Sequence, residues 1–157
     1  NRHCTDTYER IYREKNAAEA VILFPHVYET LEKLHAQGIV LTIASSRHRW
    51  SLIDFVERFG IEKFITYILG ADDVTHAKPH PEPVLKTLQE LHFTPEEALV
   101  VGDTVYDIKM GQGAEVHTCG VTYGNGKRSE LEKTITEYII DDFGQLLEII
   151  NNTTMSQ

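Results

Sequence analysis

Apolar and polar positions switch between two periods along this chain, and each switch marks an element. Val27, Leu31 and Leu34 recur at helical spacing behind Pro25, and Gly38 predicts where that helix stops. Ile39–Ala44 (IVLTIA) is instead a short apolar run rich in β-branched residues, which predicts a buried strand ending in the polar turn Ser45-Ser46-Arg47. Helical spacing returns with Leu52, Phe55, Val56 and Phe59 and stops at Gly60. A short strand follows at Ile65–Leu69. Pro81 and Pro83 open the next helix, where missing donors cost little, and Val84, Leu88 and Leu91 form its stripe. Thr94-Pro95-Glu96-Glu97 has a hydroxyl cap, a proline and a glutamate at the third position, a helix-start signal. It leads only a short turn, because Leu99-Val100-Val101 already reads as the next buried strand.

The remaining pattern predicts a helix after Asp103, a strand over 116–122, the loop Tyr123-Gly124-Asn125-Gly126 and a helix near 129–136. A strand at Tyr138–Ile140, a helix near 143–150 and a polar tail complete it. Ahead of Pro25, residues 5–20 read as a polar helix with Tyr8, Ile11 and Tyr12 on one face. Strands alternating with helices imply an α/β fold, a parallel sheet covered on both faces. Such sheets bind ligands beyond the carboxyl ends of their strands.

With 157 residues, 41% of them hydrophobic and 25% charged, the chain suits one globular domain. A net charge of −9 without any basic stripe argues against nucleic acid as a partner. No apolar stretch has the length of a membrane span, so no membrane partner is expected. Cys4 and Cys119 are far apart and lack metal-ligand spacing, which fits a reducing, cytoplasmic compartment. The chain begins with Asn1 rather than methionine, and a trimmed product or a fragment of a longer reading frame is expected.

Three chemical features fall at strand ends. Ser45 and Ser46 follow IVLTIA, Lys78 sits in His76-Ala77-Lys78-Pro79-His80-Pro81, and Asp103 and Asp107 follow Leu99-Val100-Val101-Gly102. Each has an ordinary reading: turn serines, a solvated lysine, an N-cap aspartate. Together at one sheet edge they suit a phosphate ester. Hydroxyls donate to phosphate oxygens, the lysine supplies positive charge, and the carboxylates hold Mg2+.

That order of Ser45, Lys78-Pro79-His80-Pro81 and Gly102-Asp103-Thr104-Val105-Tyr106-Asp107 resembles motifs two, three and four of the haloacid dehalogenase (HAD) superfamily of phosphohydrolases. Phe24-Pro25 and Gly120-Val121-Thr122-Tyr123-Gly124 are similar to its phosphoglycolate phosphatase-like branch. The resemblance implies a three-layer Rossmann-like core and a catalytic set of Ser45, Lys78, Asp103 and Asp107. Ser45, Ser46, Arg47 and Lys78 would bind substrate, and Asp103 would ligate Mg2+. Asp107 would orient the ion's water shell or the lysine. The substrate would be a small phosphorylated metabolite, and monomer and homodimer both stay open.

One part of the family pattern is missing. The resemblance calls for an Asp-x-Asp-x-Thr/Ser motif at the end of the central first strand, supplying a nucleophile and a general acid-base. Nothing before Pro25 matches it; Thr5-Asp6-Thr7 has neither the strand nor the spacing. The expectation is therefore a core lacking its central strand, with the nucleophile upstream of Asn1 and no turnover by this chain alone. Residues 1–22 would be the remnant of a helical cap, 23–151 the incomplete core and 152–157 a polar tail.

Other HAD activities (pyrophosphatase, nucleotidase, sugar-phosphate phosphatase or phosphomutase) and a non-catalytic remnant remain alternatives. A phospho-receiver domain shares these residue types but places its acidic pair early and its lysine last, the reverse of the order here. The histidines show no partner at convincing ligand spacing, and Gly124-Asn125-Gly126 reads as a turn. Trp50 and the phenylalanines read as core, and Cys119 as an inert buried thiol.

Overall fold

The computed structural model describes residues 2–6, 26–124 and 126–151. Six parallel strands form one sheet: β1 (Arg2–Asp6), β2 (Ile39–Ala44), β3 (Ile65–Leu69), β4 (Ala98–Gly102), β5 (His117–Val121) and β6 (Tyr138–Ile140). Their spatial order is β3-β2-β1-β4-β5-β6. The helices are α1 (Val27–Ala36), α2 (Arg49–Arg58), α3 (Glu82–Leu91), α4 (Val105–Gly113), α5 (Arg128–Lys133) and α6 (Leu146–Asn151). The parallel α/β sheet predicted from the two alternating periods is the one observed.

Strand alternation divides the core in two. In β4, Leu99 and Val101 join a cluster with Val27, Leu31 and Leu34 of α1 and Leu52, Phe55 and Val56 of α2. Ala98 and Val100 point the other way, against Val84 and Leu88 of α3 and Met110 of α4. Every residue of β4 is consequently buried, which is why its sequence is a continuous apolar run. Gly38 ends α1 at φ +86°, a left-handed conformation that a side chain would strain.

The expected gap at the centre of the sheet is not present. Arg2–Asp6 pairs in parallel with β2 on one side and β4 on the other, with Asp6 opposite Ile43 and Val101. The physical reason is hydrogen bonding: a gap would leave facing edges of β2 and β4 unpaired inside the protein, and any extended segment satisfies them. Residues 2–6 therefore belong to the core sheet and not to a cap, and Thr5 and Asp6 are strand rather than helix. The rest of the predicted polar helix and the 152–157 tail lie outside the described residues.

Two smaller expectations also change. The helix expected near 129–136 ends at Lys133, and Ile135 turns the chain at φ +58° so that Thr136 Oγ1 donates to Thr118 Oγ1 at 2.8 Å. Trp50 is 71% exposed and not core. It sits in the first turn of α2, where Ser51, Leu52, Phe55 and Val56 form the buried face and Trp50 is turned away from it.

Candidate active site

The carboxyl ends of β2, β1 and β4 lie side by side, and parallel pairing places the residues just beyond them on one edge. Ser45 comes two residues after Ile43, and Asp103 two residues after Val101, the two partners of Asp6. The sequence thus brings Ser45 and Asp103 to the same level, flanking the end of the central strand.

Ser45 is held by its own turn. Its backbone N–H donates to the Leu69 carbonyl at 3.0 Å, and its hydroxyl accepts the Arg47 N–H at 3.1 Å. Ser46 is exposed, and Arg47 Nε donates to Ser51 Oγ at 2.9 Å. Ser45, Ser46 and Lys78 line a common recess with Ala44, Gly70 and Met110.

Lys78 enters from the loop between β3 and α3, preceding a cis peptide bond to Pro79. Its Nζ donates to Asp107 Oδ1 at 2.6 Å, with the two side chains 11% and 1% exposed. The other oxygen of Asp107, Oδ2, accepts the Thr104 N–H at 3.2 Å and the Thr104 hydroxyl at 3.0 Å. This reciprocal cap starts α4 with Thr104 at the N-cap and Asp107 at the third position. Asp107 is thereby fixed to receive the lysine, and a charged pair this deep is tolerable because each partner's charge is matched.

Asp103 is 5% exposed immediately after β4. The glycine loop read from sequence as a plain turn is packed on it: a Cβ at Gly124 would run into the Asp103 carboxylate, and one at Gly126 into its backbone carbonyl. Gly102 is equally constrained, since a Cβ there would strike Asp107. The Gly-Asp spacing was visible in the sequence, whereas the arrival of Gly124, 21 residues on, was not. The structure also brings His76 and His80 together with a third potential ligand, Glu82. No helix among the described residues is long and apolar enough to cross a membrane.

A doubly covered parallel sheet with a hydroxyl, an anchored ammonium and buried carboxylates at its carboxyl edge defines a hydrolase-type site on an α/β core. Residues 1–121 match the haloacid dehalogenase-like hydrolase family, and the chain belongs to it. It is 41% identical over 145 residues to the pyrophosphatase PpaX of Oceanobacillus iheyensis, covering 90% of this chain and 68% of that protein. It is 36% identical over 140 residues to the phosphoglycolate phosphatase of Salmonella paratyphi A, covering 89% of this chain and 55% of that protein. A crystal structure of a predicted phosphoglycolate phosphatase from Haemophilus somnus superposes with a TM-score of 0.81 at 31% identity, covering 88% of this chain and 61% of the other. The chain thus spans between about half and two thirds of the length of these relatives.

Proposed function

We propose that this chain is the core of a Mg2+-dependent phosphomonoester hydrolase acting on a small phosphorylated metabolite of the phosphoglycolate type. The observation that carries the reading is the meeting of Ser45, Asp103 and the Lys78–Asp107 pair at one sheet edge. The donor set fits the ion: Asp103 is a hard oxygen ligand, and the lack of side chains at Gly124 and Gly126 lets the loop close directly on it. Asp107, its oxygens taken by Lys78 and Thr104, stands behind as a positioning group. Bound at Asp103, Mg2+ would supply charge neutralisation for the phosphoryl oxygens.

The chain's own residues would do the remaining work. Ser45 and Ser46 donate to phosphoryl oxygens, Arg47 adds positive charge at the rim, and the Lys78 ammonium stabilises charge on the transferring group. The attacking carboxylate is assigned to sequence preceding Asn1 in a longer protein, a reading supported by the partial coverage of the relatives. Its oxygen bonds to phosphorus as the bond to the leaving alcohol breaks and that alcohol takes a proton. Water then attacks the phosphorus of the acyl phosphate, releasing phosphate and restoring the carboxylate. In the described structure Asp6 holds the corresponding place by backbone register, but Asp6-Thr7-Tyr8 lacks the second carboxylate that general acid catalysis needs. An upstream strand bearing both would take the central place from β1.

Pyrophosphate is the second reading, favoured by the 41% identity to PpaX. The test is a hydrolysis panel of phosphoglycolate, pyrophosphate and p-nitrophenyl phosphate with the protein extended upstream. Turnover of phosphoglycolate well above pyrophosphate supports the first reading, the reverse supports the second, and no magnesium-dependent turnover of any of them sinks both.

A further inference from the structure

We propose that His76, His80 and Glu82 bind a divalent cation of the Zn2+ class, at a site separate from the carboxylates at the sheet edge. Each residue brings one potential ligand atom within 4.8 Å of the other two. Two imidazoles and a carboxylate are the donors such an ion takes, whereas Mg2+ prefers an all-oxygen shell. With bonds of about 2.0–2.2 Å, ligand atoms around a tetrahedral ion lie about 3.3 Å apart. His76 and His80 are exposed and Glu82 partly so, which leaves the side chains free to close to that spacing around an ion.

The three side chains are held toward one another. The rings of His76 and His80 stack with centroids 4.6 Å apart and planes 21° from parallel. Glu82 Oε1 accepts the His76 backbone N–H at 2.8 Å, and Oε2 accepts the Thr75 N–H at 2.9 Å. Oε2 keeps a second lone pair for an ion, while Oε1 also faces His76 Nδ1. His80 Nδ1 accepts the Glu82 backbone N–H at 3.0 Å, so its lone pair faces Glu82; the neutral ring then carries its proton on Nε2, and Nδ1 is the atom an ion would take in exchange for this bond. His76 Nδ1 already lies 3.0 Å from Glu82 Oε1, a contact the ion would bridge. The helix-start bonds of Glu82 explain its own position, but not why two imidazoles converge on it.

Access is open. A surface cleft of about 380 Å³ lined by His80, Glu82, Leu85, Lys86 and Gln89 adjoins the cluster and leaves room for a water as fourth ligand. The nearby cation Lys86 is engaged by the Asp73 carbonyl. His76 and His80 bracket Lys78, so an ion here would tie together the two ends of the loop that delivers the lysine to Asp107.

The test is calorimetric titration of the metal-stripped chain with ZnCl2 in excess MgCl2. Zn2+ should bind at one equivalent, and His76→Ala, His80→Ala and Glu82→Gln should each weaken it by roughly tenfold or more. Asp103→Asn should leave it unchanged. Circular dichroism checks that each variant folds. On the unaltered chain, Co2+ should broaden the ring resonances of His76 and His80 before those of His26 and His117, a readout independent of variant folding. Absence of binding, binding that survives all three substitutions, binding lost with Asp103→Asn, or broadening centred on other histidines would each overturn the proposal.

Discussion

Lys78 Nζ meets Asp107 Oδ1 at 2.6 Å across 29 residues of sequence, and the pair is nearly shut off from solvent. Removing one member leaves the other charge buried, a change that costs about 3–5 kcal/mol in such pairs. Lys78→Ala should therefore lower the denaturation midpoint clearly, whereas Lys78→Met combined with Asp107→Asn, which keeps an oxygen to accept from Thr104, should recover much of the loss. Urea unfolding of these variants checks this; equal loss in the single and double variants would show that the pair is not coupled.

In the upstream-extended protein, Asp103→Asn should nearly abolish magnesium-dependent hydrolysis of p-nitrophenyl phosphate. Lys78→Ala should reduce kcat by roughly 10²–10³-fold, the scale for losing one charge-stabilising donor. Rates near that of the unaltered protein in both variants would remove these residues from the chemistry.

The chain of 157 residues alone should show no turnover. A measurable magnesium-dependent rate, abolished by Asp6→Asn, would instead make Asp6 the attacking carboxylate, consistent with its register at the end of β1.

Gly124→Ala sets a methyl group against the Asp103 carboxylate. The loop or the aspartate must shift, so activity of the extended protein should fall by about tenfold or more, since misplacing a reacting group by about 1 Å can cost far more than that. Steady-state kinetics beside a thermal melt separates this from simple unfolding.

His26 and Asp142 form an exposed pair, Nδ1 to Oδ1 2.8 Å. The hydrogen bond to Asp142, with its charge, raises the His26 pKa above 6.5, and Glu29 adds to this. The same bond to His26, with a second from the Gly144 N–H, lowers the Asp142 pKa. The His26 contribution to stability is thus full below its unfolded pKa and lost as pH rises through the raised value. The Asp142 contribution is present above its unfolded pKa and lost as pH falls through the lowered one. An NMR titration should find the His26 ring titrating above 6.5, and Asp142→Asn should return it toward that value.

Local periodicity sufficed for most elements, because a helix or strand buries its apolar face wherever the partner comes from. IVLTIA and Leu99-Val100-Val101 are legible as buried strands for that reason, and Ser45 and Asp103 follow them at fixed offsets. Arg2–Asp6 was not legible: its residues carry no apolar run, and its strand conformation is imposed by the two strands it joins. Trp50 was misplaced because a helix's apolar face is defined by what packs on it, not by the presence of one large ring.

By itself, the sequence determined the class of fold and the order of hydroxyl, lysine and carboxylates along it, since both are written in short-range spacing. Only the tertiary structure decided which groups touch. The pairing of Lys78 with Asp107, the seating of Gly124 against Asp103 and the convergence of His76, His80 and Glu82 depend on loop paths that no periodic pattern encodes. Those contacts are nonlocal, and their energies are realised only once the sheet has set the ends of the strands side by side.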